Sequence, residues 1–362
     1  MTRRVYVDVA RGLAVLLMIE AHTVDAWTRA SAKHGVAFRD ATILGGFAAP
    51  LFLWLAGVAV VLAAGRSEAR GASRAAAVDG VCRRGLEIFI LAFLFRLQAF
   101  IVSPGSHPVT LFRVDILNVM GPAIAAAALL WGSTASNTVR AGLFAIAATI
   151  VAMTTPLIRA AAWVDALPIW LQWYARPFGD HTTFTLFPWV GFVFGGGAVG
   201  ALIASTRDDR TEARMQFWLT IAGAALVVVG FVTAARPAIY ASSSFWTSSP
   251  TWFAIRLGVM MIALAGLKAC ATVVDAPVTQ AFAPAWNAIA RMGRSSLFVY
   301  WIHVELVYGY ASWLWRGRLP LWGTAIAYAA FCMLVYRVID LRDAVVVYLR
   351  RQREPDFQLT TT

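Results

Sequence analysis

Charge is scarce in this chain. Asp, Glu, Lys and Arg together make up 14% of 362 residues, against 60% hydrophobic residues and a mean hydropathy of +0.68. That is too little polar surface to cover a soluble domain of this size, which excludes the soluble globular class and leaves a membrane protein. Cysteine is equally sparse: Cys82, Cys270 and Cys332 have no CxxC spacing, which supports neither a disulfide framework nor a metal site. No cleavable leader is expected, because the first apolar run is over-long, carries charges and has no small-residue cleavage site. No basic segment is interleaved with aromatics. The formal charge of +12 is therefore read as membrane topology and contact with anionic lipids rather than as a nucleic-acid footprint. Loops are short and tandem repeats are not apparent, so residues 1–362 read as one transmembrane domain with a short tail from about 350 to 362.

What the chain does have is apolar runs. Reading for stretches of roughly 20 residues predicts an all-α, polytopic bundle of about ten transmembrane helices. They fall near 7–27, 42–64, 85–103, 112–131, 139–158, 182–204, 215–235, 251–272, 292–313 and 321–349. The last is long, and its end with Arg337, Asp340, Arg342 and Asp343 is expected at the membrane interface. Placing both termini in the cytoplasm collects Arg3, Arg4, the Arg66–Arg84 segment, Arg207, Arg210, Arg214, Lys268, Arg291, Arg294 and the Arg350, Arg351, Arg353 tail on the inner side, as the positive-inside rule prefers. The expected location is the inner (cytoplasmic) membrane.

The first run, VDVARGLAVLLMIEAHTVDAW from Val7 to Trp27, nevertheless contains Asp8, Arg11, Glu20 and His22. Ionisable groups in such a run cost several kcal/mol unless paired or hydrated, which makes them functional candidates by default. At 100° per residue, Asp8, Arg11, His22 and Asp25 share one face, with about 21 Å between Asp8 and His22 along the axis, while Glu20 points the other way and reads as an interhelical partner. The predicted topology also places all five histidines, His22, His34, His107, His181 and His303, on the outer side. Asp25, Arg113, Asp115, Asn118, Asp180, Arg256 and Glu305 fall at similar depth. An outward pocket lined by imidazoles and carboxylates suits general acid/base chemistry, because imidazole titrates near neutral pH. Plainer readings stand beside these. His107 is a solvated loop residue, Arg113 and Arg256 are equally headgroup anchors, and His303 reads equally as a packed histidine or as a site residue.

Six segments in order carry a resemblance: VDVARGLAVLLMIEAH (7–22), APLFLWLAGVAV (49–60), DGVCRRGLEIFI (79–90), DILNVMG (115–121), DHTTFTLFPWVGFVFGGGAVG (180–200) and SLFVYWIH (296–303). Together they resemble the transmembrane acyltransferase superfamily, over about Arg4 to Tyr308. The Phe-Pro-Trp segment and the order of spans favour the heparan-alpha-glucosaminide N-acetyltransferase type over the more distant acyltransferase family 3.

The resemblance implies transfer of an acetyl group from cytoplasmic acetyl-CoA, as donor and without a metal, to an extracytoplasmic amine or hydroxyl, commonly of a sugar or glycan. It aligns His34, across a one-residue gap, with the catalytic histidine of the heparan type. It places His22 where that type has an asparagine and acyltransferase family 3 has its catalytic histidine. The expected assignments are His34 first and His22 second as base, with Asp25 orienting the ring. Arg83, Arg84, Arg11 and Asn118 are expected to hold coenzyme A, whose phosphates suit cytoplasmic arginines. Arg113, Asp180, His181 and His303 are expected to face the acceptor, and Asn118 or Arg113 to stabilise the oxyanion. A direct transfer and a covalent acetyl-histidine step both remain open, as does homodimer formation. A proton-coupled transporter using the same His and Glu as a relay is the rival reading, and a structural or docking protein is third.

Overall fold

The computed structural model describes residues 4–102, 107–274 and 281–353. These are helical, with no strand among them beyond two isolated bridges. In chain order the α-helices are α1 (Val5–Trp27), α2 (Gly35–Gly45), α3 (Ala48–Ala69), α4 (Arg74–Val102), α5 (Ile116–Gly132), α6 (Asn137–Ala160), α7 (Ile169–Ala175), α8 (Leu186–Ser205), α9 (Asp209–Ala234), α10 (Pro250–Val274), α11 (Ala283–Arg294), α12 (Ser296–Tyr308) and α13 (Leu321–Arg353). Seven stretches are long and apolar enough to cross a membrane: α2–α3 as one, α4, α6, α8, α9, α10 and α13. α1 carries too many charges to meet that standard, and α5 and α12 are shorter apolar helices.

Each expected span coincides with a helix, and the expected boundaries fail where polar backbone chemistry intervenes. The first outer loop, expected to run to about residue 41, folds instead into α2, which ends at Gly45–Gly46 before α3 begins. The expected fourth span loses its first residues to a 3-10 turn, and α5 starts at a capping box in which the Asp115 and Asn118 side chains each take the other's backbone N–H. The expected ninth span, 292–313, takes in only the end of α11, breaks at Ser295 and is helical from there to Tyr308, after which the chain enters a 3-10 turn. α13 continues to Arg353, so the expected tail starts later; Arg3 and residues 354–362 lie outside the described residues.

Long-range contacts gather the ends of the long helices at two poles. At the basic end, Arg4 donates to Glu212 at 3.0 Å and Tyr6 donates to the same carboxylate at 2.6 Å, which holds the start of α1 on α9. Arg291 of α11 bonds Asp340 and Asp343, and Arg342 donates to Ser295 at 3.0 Å, so the charged stretch of α13 is an interface with α11 and the α11–α12 break. At the other end, Trp27 Nε1 donates to the Val307 carbonyl at 3.1 Å and Arg29 to the Leu319 carbonyl at 2.8 Å.

Two apolar clusters flank the centre. One joins α3, α6 and α8 through Trp54, Val58, Phe144 and Phe192, and the other joins α1, α12 and α13 through Ile19, Val299, Val335 and Ile339. Close approach is bought by glycine. A β-carbon on Gly57 would lie 1.9 Å from the Val193 carbonyl oxygen, and one on Gly293 would lie 2.0 Å from that of Asp8. Between the clusters α4 leans chiefly on α5, leaving space among α1, α3, α4, α5 and α12.

Candidate active site

That space is a cavity of about 1160 Å³. Small side chains on one face of α3 keep it open: Ala49, Ala56, Ala59 and Ala63 lie in its wall, and Ser67 closes the series at the basic end. From Ala48 to Ser67 the lined face of α3 extends about 28 Å at 1.5 Å per residue, close to the roughly 30 Å thickness of a bilayer's hydrocarbon core. Ala77, Gly80, Val81 and Arg84 of α4 line the basic end, and Phe95, Arg96 and Ala99 line the other. The cavity therefore runs the length of the bundle, from Arg84 and Ser67 to Asp25, Arg113 and Thr183.

The first helix supplies the wall that its charge pattern announced. Arg11, His22 and Asp25 line the cavity, while Asp8 is buried beside α11 and does not. Glu20 lies off this stripe and packs against Gly45 of α2, where its Oε2 is buried with no hydrogen-bond partner among the described residues.

His22 is half-buried. Its Nδ1 lies 2.8 Å from His303 Nε2, and the rings are parallel with centroids 5.0 Å apart. His303 Nδ1 lies 2.9 Å from the Val299 carbonyl oxygen, one turn back on α12, and the residue is 0% exposed. His303, expected to face the acceptor, thus sits behind His22 and outside the cavity wall, because α12 turns that side chain into its packing face against α1. Asp25, expected to orient the imidazole, makes no hydrogen bond or ion pair with it among the described residues. Its carboxylate accepts from Tyr308 Oη at 2.8 Å and lies 3.6 Å from Lys33 Nζ, because it belongs to the last, solvent-facing turn of α1.

His34 is exposed at the N-terminus of α2 and is not part of the cavity wall, next to Lys33, whose partner Asp25 is in it. His181 is held between Trp173 and Phe178, with ring centroids 4.9 and 6.1 Å away, and Asp180 is exposed beside it; neither reaches the cavity. His107 caps the turn it begins, accepting from Val109 N at 3.3 Å.

Of the residues expected to hold coenzyme A, Arg11 and Arg84 line the cavity. Arg83 points away, pairs with Asp79 at 2.9 Å and is not in the wall. Asn118 is buried in the α5 capping box, beside the Tyr174 hydroxyl, whose pKa burial raises. It is therefore committed to the fold. Arg113 is in the wall and donates to Thr183 Oγ1 at 2.9 Å.

Sequence reading missed Arg96. It lies on α4 within LAFLFRLQAF, pairs with Asp115 and lines the cavity at the end where His22 stands. The signal was available, since an arginine inside an apolar run is as costly as Arg11. Tyr308 was missed too, having no charge to mark it. The Glu305 carboxylate, in the wall nearby, makes no hydrogen bond or ion pair among the described residues, and its backbone carbonyl accepts from Gly309 N at 2.9 Å.

The arrangement offers an imidazole, Arg96, Arg113 and three carboxylates (Asp25, Asp115 and Glu305) toward one end of a long, mostly apolar conduit, with Arg11 and Arg84 toward the other. A conduit of this kind suits a donor with a charged head, a thin arm and a reactive tip. Among the described residues no group of three or more His, Cys, Asp or Glu is placed to bind a metal.

Comparison with curated proteins gives no match. Residues 3–233 do match a protein family, described as heparan-alpha-glucosaminide N-acetyltransferase, catalytic. The matched region runs from the N-terminus through most of α9 and contains every cavity-lining element except α12. A polytopic helical bundle, a conduit with an imidazole in its wall and a match over more than half the chain agree: this protein belongs to the heparan-alpha-glucosaminide N-acetyltransferase catalytic family, whose members are membrane acetyltransferases.

Proposed function

We infer that the protein moves an acetyl group from cytoplasmic acetyl-CoA, through the bundle, to an amine or hydroxyl of a sugar or glycan on the outer side of the inner membrane. The observation that supports this most is the cavity, with Arg84 at the basic end and His22 near the other. Arg84 and Arg11 attract the phosphates of the donor, and the pantetheine arm follows the alanine face of α3. The thioester then reaches Arg96 and His22.

His22 acts as general base in this reading. It takes the proton of the acceptor N–H or O–H as that atom bonds to the thioester carbonyl carbon. Arg96 or Arg113 stabilises the oxyanion. When the C–S bond breaks, the sulfur leaves with the electron pair and recovers the proton from His22, giving free coenzyme A and acetylated acceptor. His34, outside the wall, is assigned to the acceptor's approach.

The test uses detergent-purified full-length protein. Acetyl-CoA should raise its melting temperature, as any ligand of the folded state does, and thiol release should depend on an added amino sugar or glycan. His22→Ala should lower transfer about 10²- to 10⁴-fold, the usual worth of general-base catalysis, and leave the thermal shift intact. No shift at millimolar acetyl-CoA, with proton-driven solute uptake into vesicles instead, would make the protein a transporter.

A further inference from the structure

The hydrogen bonds around His303 determine where the protons of His22 lie. The Val299 carbonyl is only an acceptor, so the His303 nitrogen 2.9 Å from it, Nδ1, must carry a proton. His303 is 0% exposed, and no carboxylate hydrogen-bonds to it. A second proton would put an unpaired charge in an apolar enclosure, which is far more costly than a neutral ring. In neutral His303 the lone pair is therefore on Nε2, and the bond of 2.8 Å to His22 can form only if His22 Nδ1–H donates it. His22 is left with a bare Nε2, which has no hydrogen-bond partner among the described residues, on a residue that lines the cavity.

We propose that His303 is a positioning residue: with the Val299 carbonyl it fixes His22 in the tautomer that has its proton on Nδ1 and its lone pair on Nε2, available to a ligand in the cavity. The relay runs from the α12 backbone, through a buried ring, to a ring in the cavity wall. It does for His22 what a carboxylate does for the histidine of a hydrolase triad, orienting the ring and selecting the tautomer. A neutral imidazole serves where a carboxylate would bring an extra charge into the bundle. Tyr308, edge-on to His22 with centroids 5.6 Å apart, restrains the ring from another side. The proposal builds on His22 as the base.

The tautomer is measured without turnover. In wild-type protein labelled with ¹⁵N-histidine and reconstituted in lipid, His22, identified by the signal lost in His22→Ala, should show a protonated Nδ1 and an unprotonated Nε2. Two variants then test the role. His303→Leu removes the acceptor for His22 Nδ1–H and should lower kcat about 10- to 10²-fold, the order seen when an orienting partner is lost, with the KM for acetyl-CoA unchanged. His303→Gln supplies an amide oxygen at similar reach and should recover most of that loss. The proposal is overturned by a proton on Nε2 of wild-type His22, or by a folded His303→Leu within about twofold of wild type. It is also overturned by a folded His303→Gln no better than His303→Leu. If the leucine variant does not fold, the wild-type spectrum and the glutamine variant decide. A proton on Nε2 together with an inactive His22→Ala overturns the relay alone, whereas the expected tautomer with a fully active His22→Ala overturns His22 as base and the relay with it.

Discussion

Arg83 and Arg84 are consecutive on α4, and their side chains leave the helix 100° apart, so one faces the cavity and the other Asp79. Arg84→Ala should therefore weaken acetyl-CoA binding, measured by thermal shift or calorimetry, whereas Arg83→Ala should leave it within about twofold, since exposed i,i+4 pairs contribute only about 0.3–0.5 kcal/mol. Equal losses would mean that general positive charge at this end, not the cavity mouth, attracts the donor. The same contrast limits what a sequence shows of single residues. The stripe of α1 was legible because one helix carries Arg11, His22 and Asp25 at helical spacing, and those three do line the cavity. The partner of His22 was not legible, because it lies 281 residues away and nothing local says which face α12 turns inward. Arg96 and Asp115 were legible one at a time, as charges next to apolar runs, but their pairing depends on how α4 and α5 fold back on each other.

Elements follow their sequence where burial is uniform and depart from it where the backbone needs a partner. Hydropathy located each long span. It missed α2 because 35–45 carries Arg39 and Asp40 and reads as loop, and it left most of α11 outside any span because Asn287, Arg291 and Arg294 make that helix far less apolar than α12. Helix pairing is set by features that hydropathy averages away, chiefly glycine. On α11, Gly293 sits against the α1 backbone, where a β-carbon would be 2.0 Å from the Asp8 carbonyl oxygen and 2.6 Å from Gly12 N. Backbone cannot yield as a flexible side chain can, so Gly293→Ala should force α1 and α11 apart. The expected loss is about 1–3 kcal/mol, the usual result of overpacking, seen as a lower melting temperature. Gly266→Ala on α10 is the control, because nothing lies within 4 Å of the added carbon. There the alanine should leave stability unchanged or raise it by about 0.5–1 kcal/mol through helix propensity. A Gly293→Ala protein as stable as wild type would show that α1 and α11 are not tightly packed.

For the whole molecule, one chain property bears on direction: arginines and lysines are more numerous at one end, although Arg29, Lys33, Arg39, Arg96 and Arg113 stand at the other, where the histidines are. All five histidines lie toward the end where α1 finishes and α12 finishes, while Arg4, Arg74, Arg84, Arg291 and Arg342 lie toward the opposite end. Read with the positive-inside rule, this supports the proposed orientation, with the Arg84 mouth of the cavity in the cytoplasm, where acetyl-CoA is, and His22 near the outer surface. The direction of transfer depends on that assignment. It is tested by single cysteines placed in a protein whose Cys82, Cys270 and Cys332 are replaced by alanine, a precaution required above all by Cys270, which is exposed. Ser31 follows α1 and Ser243 lies between α9 and α10, both exposed at the histidine end, and Ser73 is exposed between α3 and α4 at the other. Cysteine at 31 or 243 should react with a membrane-impermeant maleimide added to spheroplasts, and cysteine at 73 should react only after the membrane is permeabilised. Reversed labelling would place Arg84 outside and His22 within, away from a cytoplasmic donor, and would end the proposed direction of transfer while leaving the family and the fold untouched.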